Sequence, residues 1–223
     1  MTVPIRFTEP DAIPQSPAAS PPLQHRPDMS SSRNIPSFPA DSRTIAVFCG
    51  SSVGTDPAYV DAARAFGRLL GAAGMNMVFG GGAIGLMGET ARAVRETGRP
   101  VHGVLPDFLR HLEPPMTNGE TVEITTDLQE RKRRMLEVAD GFVILPGGLG
   151  TLDEFFEVIT SAQLDVFAKP IVVLDTNGFY APLEALLQHV IDQGFAKPQS
   201  RDLCRFVATP QQAVEALRAG LGD

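Results

Sequence analysis

Short apolar runs alternate with longer amphipathic segments from Thr44 to the end of the chain. The short runs, such as residues 142–145, contain no polar side chain, as expected of strands that are buried on both faces of a sheet. The amphipathic segments between them are long enough for the helical crossovers that join parallel strands. The alternation therefore predicts the α/β class, with a Rossmann-like parallel sheet covered by helices on both faces.

The pattern assigns each strand and helix to a segment of the chain. Strands are predicted at residues 45–49, 75–79, 101–105, 122–125, 142–145, 171–174 and 206–208. Helices are predicted at residues 57–73, 85–97, 128–139, 151–166, 181–193 and 210–219. A chain of this length suits one core, so we expect a single domain over residues 43–223.

Residues 1–42 are rich in proline and serine and show no apolar periodicity. Such a composition buries too little apolar surface to offset the entropy lost on ordering. We therefore predict a disordered tail over residues 1–42, in front of the domain.

Charge and composition narrow the function classes. The net charge of -7 and the pI near 5.1 disfavour a broad phosphate-neutralising surface, so nucleic acid is not an expected partner. No apolar run reaches the roughly 18 residues of a membrane span, so no membrane partner is expected. The two cysteines, Cys49 and Cys204, give no disulfide framework, which favours a reducing compartment and a cytoplasmic location.

The first glycine-rich loop covers residues 80–88, after the second predicted strand. Gly80, Gly82 and Gly85 match the spacing G-x-G-x-x-G, and Asp107 lies about where a dinucleotide-binding fold places its ribose-binding acid. Glycines let backbone N–H groups approach a phosphate at a helix start. The loop predicts either a dinucleotide site, as in an oxidoreductase, or tight packing between a strand and a helix.

The second glycine-rich loop, Pro-Gly-Gly-Leu-Gly-Thr at residues 146–151, follows the most apolar strand. Its glycines and Thr151 predict a phosphate cradle at a helix N-terminus. Glu154 lies one turn into the predicted helix on the side of the loop. A carboxylate beside a phosphate site is better matched to a hydroxyl or a water than to the phosphate itself. The alternative makes Asp153 and Glu154 helix-stabilising acids, an interpretation that we favour for Asp153 alone.

Arg131 precedes the second loop in a basic stretch of residues 131–134. It is predicted either to hold a substrate anion or Glu154, or to be a solvated side chain beside an i,i+4 pair of Glu130 and Arg134. Other chemistries lack support in the sequence. No histidine or cysteine spacing predicts a metal site, no G-x-S-x-G predicts a serine nucleophile, and the lysines fit a pyridoxal phosphate enzyme poorly.

Three motifs together resemble the LONELY GUY family of cytokinin riboside 5′-monophosphate phosphoribohydrolases, often labelled lysine decarboxylases. They are P-G-G-x-G-T-x-x-E at residues 146–154, the Gly80–Gly88 loop with the earlier Cys-Gly-Ser-Ser at residues 49–52, and Glu-Arg-Lys at residues 130–132. The likeness covers about residues 44–219. The chain departs from the family pattern at Leu128, Gln129 and Ser161.

The resemblance implies a dimeric hydrolase with a Rossmann-like fold, whose substrate is a nucleoside 5′-monophosphate and which needs no cofactor. It implies that Arg131 and Glu154 are the catalytic pair. The substrate contacts that it implies are Gly82, Met87, Glu113, Lys132, Gly147, Gly148, Gly150, Thr151 and Thr160. The expected reaction releases a free purine base and ribose 5-phosphate. A non-catalytic nucleotide-binding or carrier module and, less favoured, a dinucleotide-dependent oxidoreductase are the alternatives.

Overall fold

A computed structural model describes residues 38, 42–111 and 121–222 of the protein. Seven strands form one sheet: β1 (Thr44–Phe48), β2 (Asn76–Phe79), β3 (Val101–Pro106), β4 (Thr121–Thr125), β5 (Gly141–Ile144), β6 (Ile171–Leu174) and β7 (Arg205–Val207). Their order in the sheet is β4-β3-β2-β1-β5-β6-β7, and every pair is parallel. The predicted α/β class is confirmed. The predicted tail lies, apart from Phe38 and Ser42, outside the described residues.

Within the described residues, six α-helices cover the two faces of the sheet: α1 (Pro57–Ala72), α2 (Gly85–Arg95), α3 (Leu128–Val138), α4 (Leu149–Gln163), α5 (Ala181–Asp192) and α6 (Pro210–Leu221). Side chains alternate between the faces along a strand, so Ile45 and Val47 pack under α1, α2 and α6, whereas Ala46 and Phe48 pack under α3, α4 and α5. Among the described residues, no helix combines the length and the apolar character that a membrane span needs.

Local signals start most helices where the sequence predicts. Asp56 caps α1 by accepting a hydrogen bond from the Ala58 N–H, and Asp127 caps α3 by accepting one from the Glu130 N–H. The exception is α4, which begins at Leu149, two residues earlier than predicted. Gly148 is its N-cap in an extended conformation, so Gly150 and Thr151 belong to the first helical turn rather than to the loop.

The chain reverses its direction across the sheet at β1, which pairs with β2 on one side and with β5 on the other. Ligands of doubly wound sheets bind at such a switch point, beyond the carboxyl ends of the strands. The loops that follow β1 and β5 meet there, and the Gly50 N–H donates to the Pro146 carbonyl at 3.0 Å. The fold therefore places Cys49, Gly50 and the second glycine-rich loop at one edge of the sheet.

Candidate active site

Arg131 and Glu154 form a buried ion pair at this switch point. Arg131 extends from the first turn of α3, and its Nη2 lies 3.0 Å from Oε1 of Glu154 on α4. The side chains are only 13% and 8% exposed. The prediction of a solvated Arg131 beside a Glu130–Arg134 pair is wrong, because Glu130 accepts hydrogen bonds from Thr126 while Arg134 pairs with Glu123.

The glycine at position 80 makes room for the Arg131 guanidinium. A Cβ atom at Gly80 would lie 2.2 Å from Nη2 of Arg131 and 3.2 Å from the sulfur of Met87. Arg131 therefore fits between β2 and α4 only because residue 80 has no side chain. Its Nε is buried and has no hydrogen-bond partner among the described residues, so Glu154 does not use all of the guanidinium donors.

A cavity of about 170 Å³ opens above the pair. Its lining residues are Cys49, Gly50, Ser51, Met87, Arg131, Gly148, Leu149, Gly150, Thr151 and Glu154. Small-molecule sites usually enclose roughly 300–1,000 Å³, so the cavity suits part of a nucleotide rather than a whole one. A larger cavity of about 650 Å³ lies between α5 and the segment before β7, and neither Arg131 nor Glu154 lines it.

The N-terminus of α4 faces this cavity without a side-chain cap. The first N–H groups of a helix have no partner within the helix and carry the positive end of its dipole. Gly147 brings the loop close to the helix, since a Cβ atom there would lie 2.1 Å from Oγ1 of Thr151 and 2.9 Å from the Gly50 nitrogen. This helix start has the features of an anion site.

The first glycine-rich loop was predicted either to bind a dinucleotide or to pack a strand tightly against a helix. The N–H groups of Leu86 and Met87, in the first turn of α2, donate to the carbonyls of Ser52 and Gly50. Gly85 has a φ of +61° and packs directly on Ser51. Two donors that a dinucleotide pyrophosphate would use are thus already engaged, which favours the packing interpretation of this loop. Asp107 pairs with Arg110 and is 69% exposed.

Lys132 lies next to Arg131 but outside the cavity lining. Its Nζ is 3.0 Å from Oδ2 of Asp153 and 2.9 Å from Oε2 of Glu157, both on α4. Burial opposes the charged form, but the hydrogen bonds that the Lys132 ammonium donates to Glu157 and Asp153 outweigh it and raise the pKa of Lys132. Asp153, predicted only to stabilise the helix start, also links α4 to α3.

The other predicted substrate contacts fall into three groups. Met87, Gly148, Gly150 and Thr151 line the cavity. Gly82 is buried, Gly147 supports the loop, and Thr160 is exposed about 9 Å farther along α4 than Glu154. Glu113 lies outside the described residues. The substrate-contact roles of all these residues stay predictions.

Cys49 lines the cavity although it was not predicted as a site residue. Burial raises the pKa of its thiol, and the charge of Glu154 raises it further, so the thiol is protonated in the folded protein. Ser51 and Gly80 lie in motifs of the family resemblance, but no site role was predicted for either. Cys49 and Ser51 belong to the Cys-Gly-Ser-Ser motif at residues 49–52, and their position directly after β1, at the switch point, places them beside the cavity.

The lysines do not converge on this cavity. Lys169 donates to the Leu136 carbonyl and lies over the Phe142 and Phe167 rings, and Lys197 precedes the segment before β7. Among the described residues, no cluster of three or more histidine, cysteine or acidic side chains has the arrangement of a metal site. The fold and site thus define a doubly wound α/β protein with an arginine–glutamate pair beside an uncapped helix N-terminus.

Comparison with known proteins gives the family. A family model described as "possible lysine decarboxylase" matches residues 87–217. A cytokinin riboside 5′-monophosphate phosphoribohydrolase of Arabidopsis thaliana is 41% identical over 179 residues, which are 79% of this chain and 80% of the relative. A protein of the same name from Oryza sativa subsp. japonica is 40% identical over 175 residues, covering 77% and 71%. The chain belongs to the LONELY GUY family.

Solved structures agree on the fold. The molybdenum cofactor carrier protein of Chlamydomonas reinhardtii is similar with a TM-score of 0.62 and 21% identity, over 82% of this chain and 99% of that one. The molybdenum cofactor binding protein of Rippkaea orientalis has a TM-score of 0.62 and 19% identity, over 81% and 98%. At these identities the likeness shows a shared fold alone.

Proposed function

We propose that the protein hydrolyses the N-glycosidic bond of a purine nucleoside 5′-monophosphate, either of the cytokinin type or adenosine monophosphate. The products are the free base and ribose 5-phosphate. The observation that carries the proposal is the buried Arg131–Glu154 pair, 3.0 Å apart, beside the uncapped start of α4. Family membership at about 40% identity to phosphoribohydrolases supports the same reaction.

The uncapped turn of α4 suits the 5′-phosphate. Its N–H groups and the Thr151 hydroxyl supply donors, and Gly148 and Gly150 have no atoms within 4 Å of a built Cβ, so the phosphate approaches the backbone freely. Binding energy from this remote group orients the ribose above Glu154. A cavity of about 170 Å³ then holds the phosphoribosyl half and leaves the base toward the opening.

Glu154 and Arg131 serve the reacting half of the substrate. A water adds to the anomeric carbon as the bond to the purine nitrogen breaks, and the base leaves with the bonding electrons and takes up a proton. The sugar develops oxocarbenium-like charge in the transition state. The Glu154 carboxylate stabilises that charge and orients the water or the ribose hydroxyls, while the planar Arg131 guanidinium fixes the carboxylate and holds the phosphoribosyl group.

The direct test is chromatographic detection of base and ribose 5-phosphate. Wild type, Arg131→Ala and Glu154→Ala are incubated with adenosine monophosphate and, separately, with isopentenyladenosine monophosphate. Arg133→Ala and Glu215→Ala are matched controls, since both residues are exposed and lie outside the cavity lining. We expect release by wild type and by both controls, and loss in the two site variants.

The outcomes separate the candidate functions. Release that survives both site substitutions would overturn the assignment of the catalytic pair. No release by wild type, with nucleotide binding retained, would support the non-catalytic carrier alternative. The faster of the two substrates shows whether the enzyme acts in cytokinin formation or on adenosine monophosphate.

We also propose that the protein is a homodimer. Leu164, Val166 and Leu186 are between 50% and 68% exposed near the end of α4 and on α5, and α5 buries only Leu183. Large apolar side chains that are this exposed favour an interface. Sedimentation tests this, with Leu186→Asp expected to shift the protein toward monomer.

The location and domain limits are proposals as well. Two unpaired thiols, Cys49 and Cys204, fit a reducing cytoplasm, and the acidic charge fits a protein without a nucleic-acid partner. We place the catalytic domain at residues 43–223. Cell fractionation tests the location, and activity of a chain that begins at residue 43 tests the domain limit.

A further inference from the structure

We propose that Lys132 is a positioning residue, which acts through Asp153 and Glu157 to hold α3 against α4 and thereby sets the geometry of the Arg131–Glu154 pair. The inference rests on the proposed hydrolase function. It gives Lys132 a role other than substrate contact, and it gives Asp153 and Glu157 a functional role.

Two ion-pair links between the same two helices lie side by side. Arg131 on α3 reaches Glu154 on α4, and the next residue on α3, Lys132, reaches Asp153 and Glu157 on α4. Neighbouring residues on a helix project about 100° apart, so the Arg131 link lines the cavity while the Lys132 link lies beside it, outside the lining. Together they fix both the distance between the helices and their rotation.

Lys132 uses its ammonium group for this second link. Its side chain is 7% exposed, and its Nζ is within 3.3 Å of three carboxylate oxygens on Asp153 and Glu157. The group carries one positive and two negative charges. A phosphate contact would draw the ammonium away from both carboxylates, leaving them beside an anion, so the arrangement opposes that use of Lys132.

The Arg131 guanidinium lies in a narrow space. The guanidinium lies between Gly80 and Glu154, and a shift of α3 relative to α4 changes the 3.0 Å contact directly. Misplacement of a catalytic group by about 1 Å can cost on the order of 100-fold in rate. Loss of the second link therefore lowers turnover without removing any group that binds phosphate.

The experiment compares four variants of the full chain with wild type: Lys132→Met, Asp153→Asn/Glu157→Gln, the combination of all three substitutions, and Arg133→Met. Arg133→Met is the matched control, because Arg133 is a 53% exposed cation on the same helix whose ion pairs, within the described part of the chain, are with Glu130 and Glu137 of α3. Measured quantities are kcat and KM for nucleotide hydrolysis, the affinity for ribose 5-phosphate by calorimetry, and stability to urea.

We expect Lys132→Met and the carboxylate double variant to lower kcat by a similar factor, about 10- to 100-fold, with KM and ribose 5-phosphate affinity within about two-fold of wild type. The triple variant should be no slower than either, since the residues act as one unit. A rise in KM and a loss of ribose 5-phosphate affinity in Lys132→Met, with the carboxylate variant unaffected, would overturn the proposal. So would a change in stability with kcat unchanged.

If Lys132→Met fails to fold, the variant Asp153→Asn/Glu157→Gln still tests the proposal. Its substitutions preserve the shapes of the side chains, and Glu157 is 35% exposed. The two proposals also fail differently. Absence of base release by wild type refutes the hydrolase, whereas normal wild-type turnover with unaffected kcat in the carboxylate variant refutes the positioning role alone.

Discussion

The guanidinium of Arg131 lies 3.0 Å from the carboxylate of Glu154, with both side chains at most 13% exposed. Water screens so enclosed a pair only weakly, and the attraction between the two charges offsets the free energy that each loses on leaving water. The pair joins α3, which reaches the site from the β4 side of the sheet, to α4, which begins at the β5 loop. The pair therefore matters to the packing of α3 against α4 as well as to the proposed chemistry.

The first prediction concerns the stability of this pair. Arg131→Met and Glu154→Gln should each lower the free energy of unfolding by about 1.5–3 kcal/mol, the range for hydrogen bonds to charged groups. The double variant should lose less than the sum, since the second substitution removes a charge that the first had left poorly compensated. Urea unfolding of the four proteins measures the coupling. Strictly additive losses would contradict it.

The second prediction is that Gly80→Ala impairs catalysis more than folding. The added Cβ would overlap the end of the Arg131 side chain at 2.2 Å, and a flexible side chain moves more readily than a strand. The displaced guanidinium leaves Glu154, so kcat should fall by about 10- to 100-fold. Urea stability should change by less than about 2 kcal/mol. A variant with wild-type turnover would show that Arg131 does not need the space that a glycine leaves at residue 80.

The third prediction separates the glycines of the second loop. In Gly147→Ala the new Cβ meets Thr151 and the Gly50 backbone, so the loop must shift and stability should fall by about 1–3 kcal/mol. Gly148 has an extended φ of −94° and open space around it. Gly148→Ala should therefore keep its stability and lose affinity for ribose 5-phosphate. Equal stability losses in the two variants would contradict this division.

The sequence predicts the sheet because its signals are local, and it points to Arg131 and Glu154 through the motifs at residues 130–132 and 146–154 that carry the family resemblance. Strands such as residues 142–145 are buried on both faces, and their apolar runs show it. The start of α4 was misplaced by two residues, because the extended conformation of Gly148 is set by contact with the β1 loop. The space that Gly80 leaves for Arg131 and the ion pairs of Lys132 depend on how α3 packs in the folded protein. No single segment of the sequence encodes that packing.

The fourth prediction is a loss of stability in alkali. Burial raises the pKa of the Cys204 thiol to about 12, and burial also raises the pKa values of Cys49 and Tyr180. Above about pH 8.5 the unfolded chain releases thiol protons that the folded protein keeps. The free energy of unfolding therefore falls as pH rises, by about 1.4 kcal/mol per pH unit for each fully shifted group. Urea unfolding of reduced protein between pH 8 and 10.5 measures the slope of the unfolding free energy against pH. The slope should be shallower in Cys204→Ala. An equal slope would show that Cys204 does not contribute to the loss.

The last prediction concerns His102, buried at 2% exposure between β4 and α3. Its Nδ1 is 2.9 Å from the Thr121 hydroxyl, and Nε2 is 3.5 Å from Glu123, which Arg134 also binds. Burial lowers the pKa of His102, and the nearby Glu123 only partly offsets that effect. The unfolded chain therefore takes up a proton below about pH 6.5 that the folded protein does not, and stability falls as pH falls. Between pH 7 and 5.5 we expect wild type to lose up to about 1 kcal/mol. His102→Gln, whatever its stability at pH 7, should lose less over that interval, and an identical decline would assign the acid sensitivity to other groups.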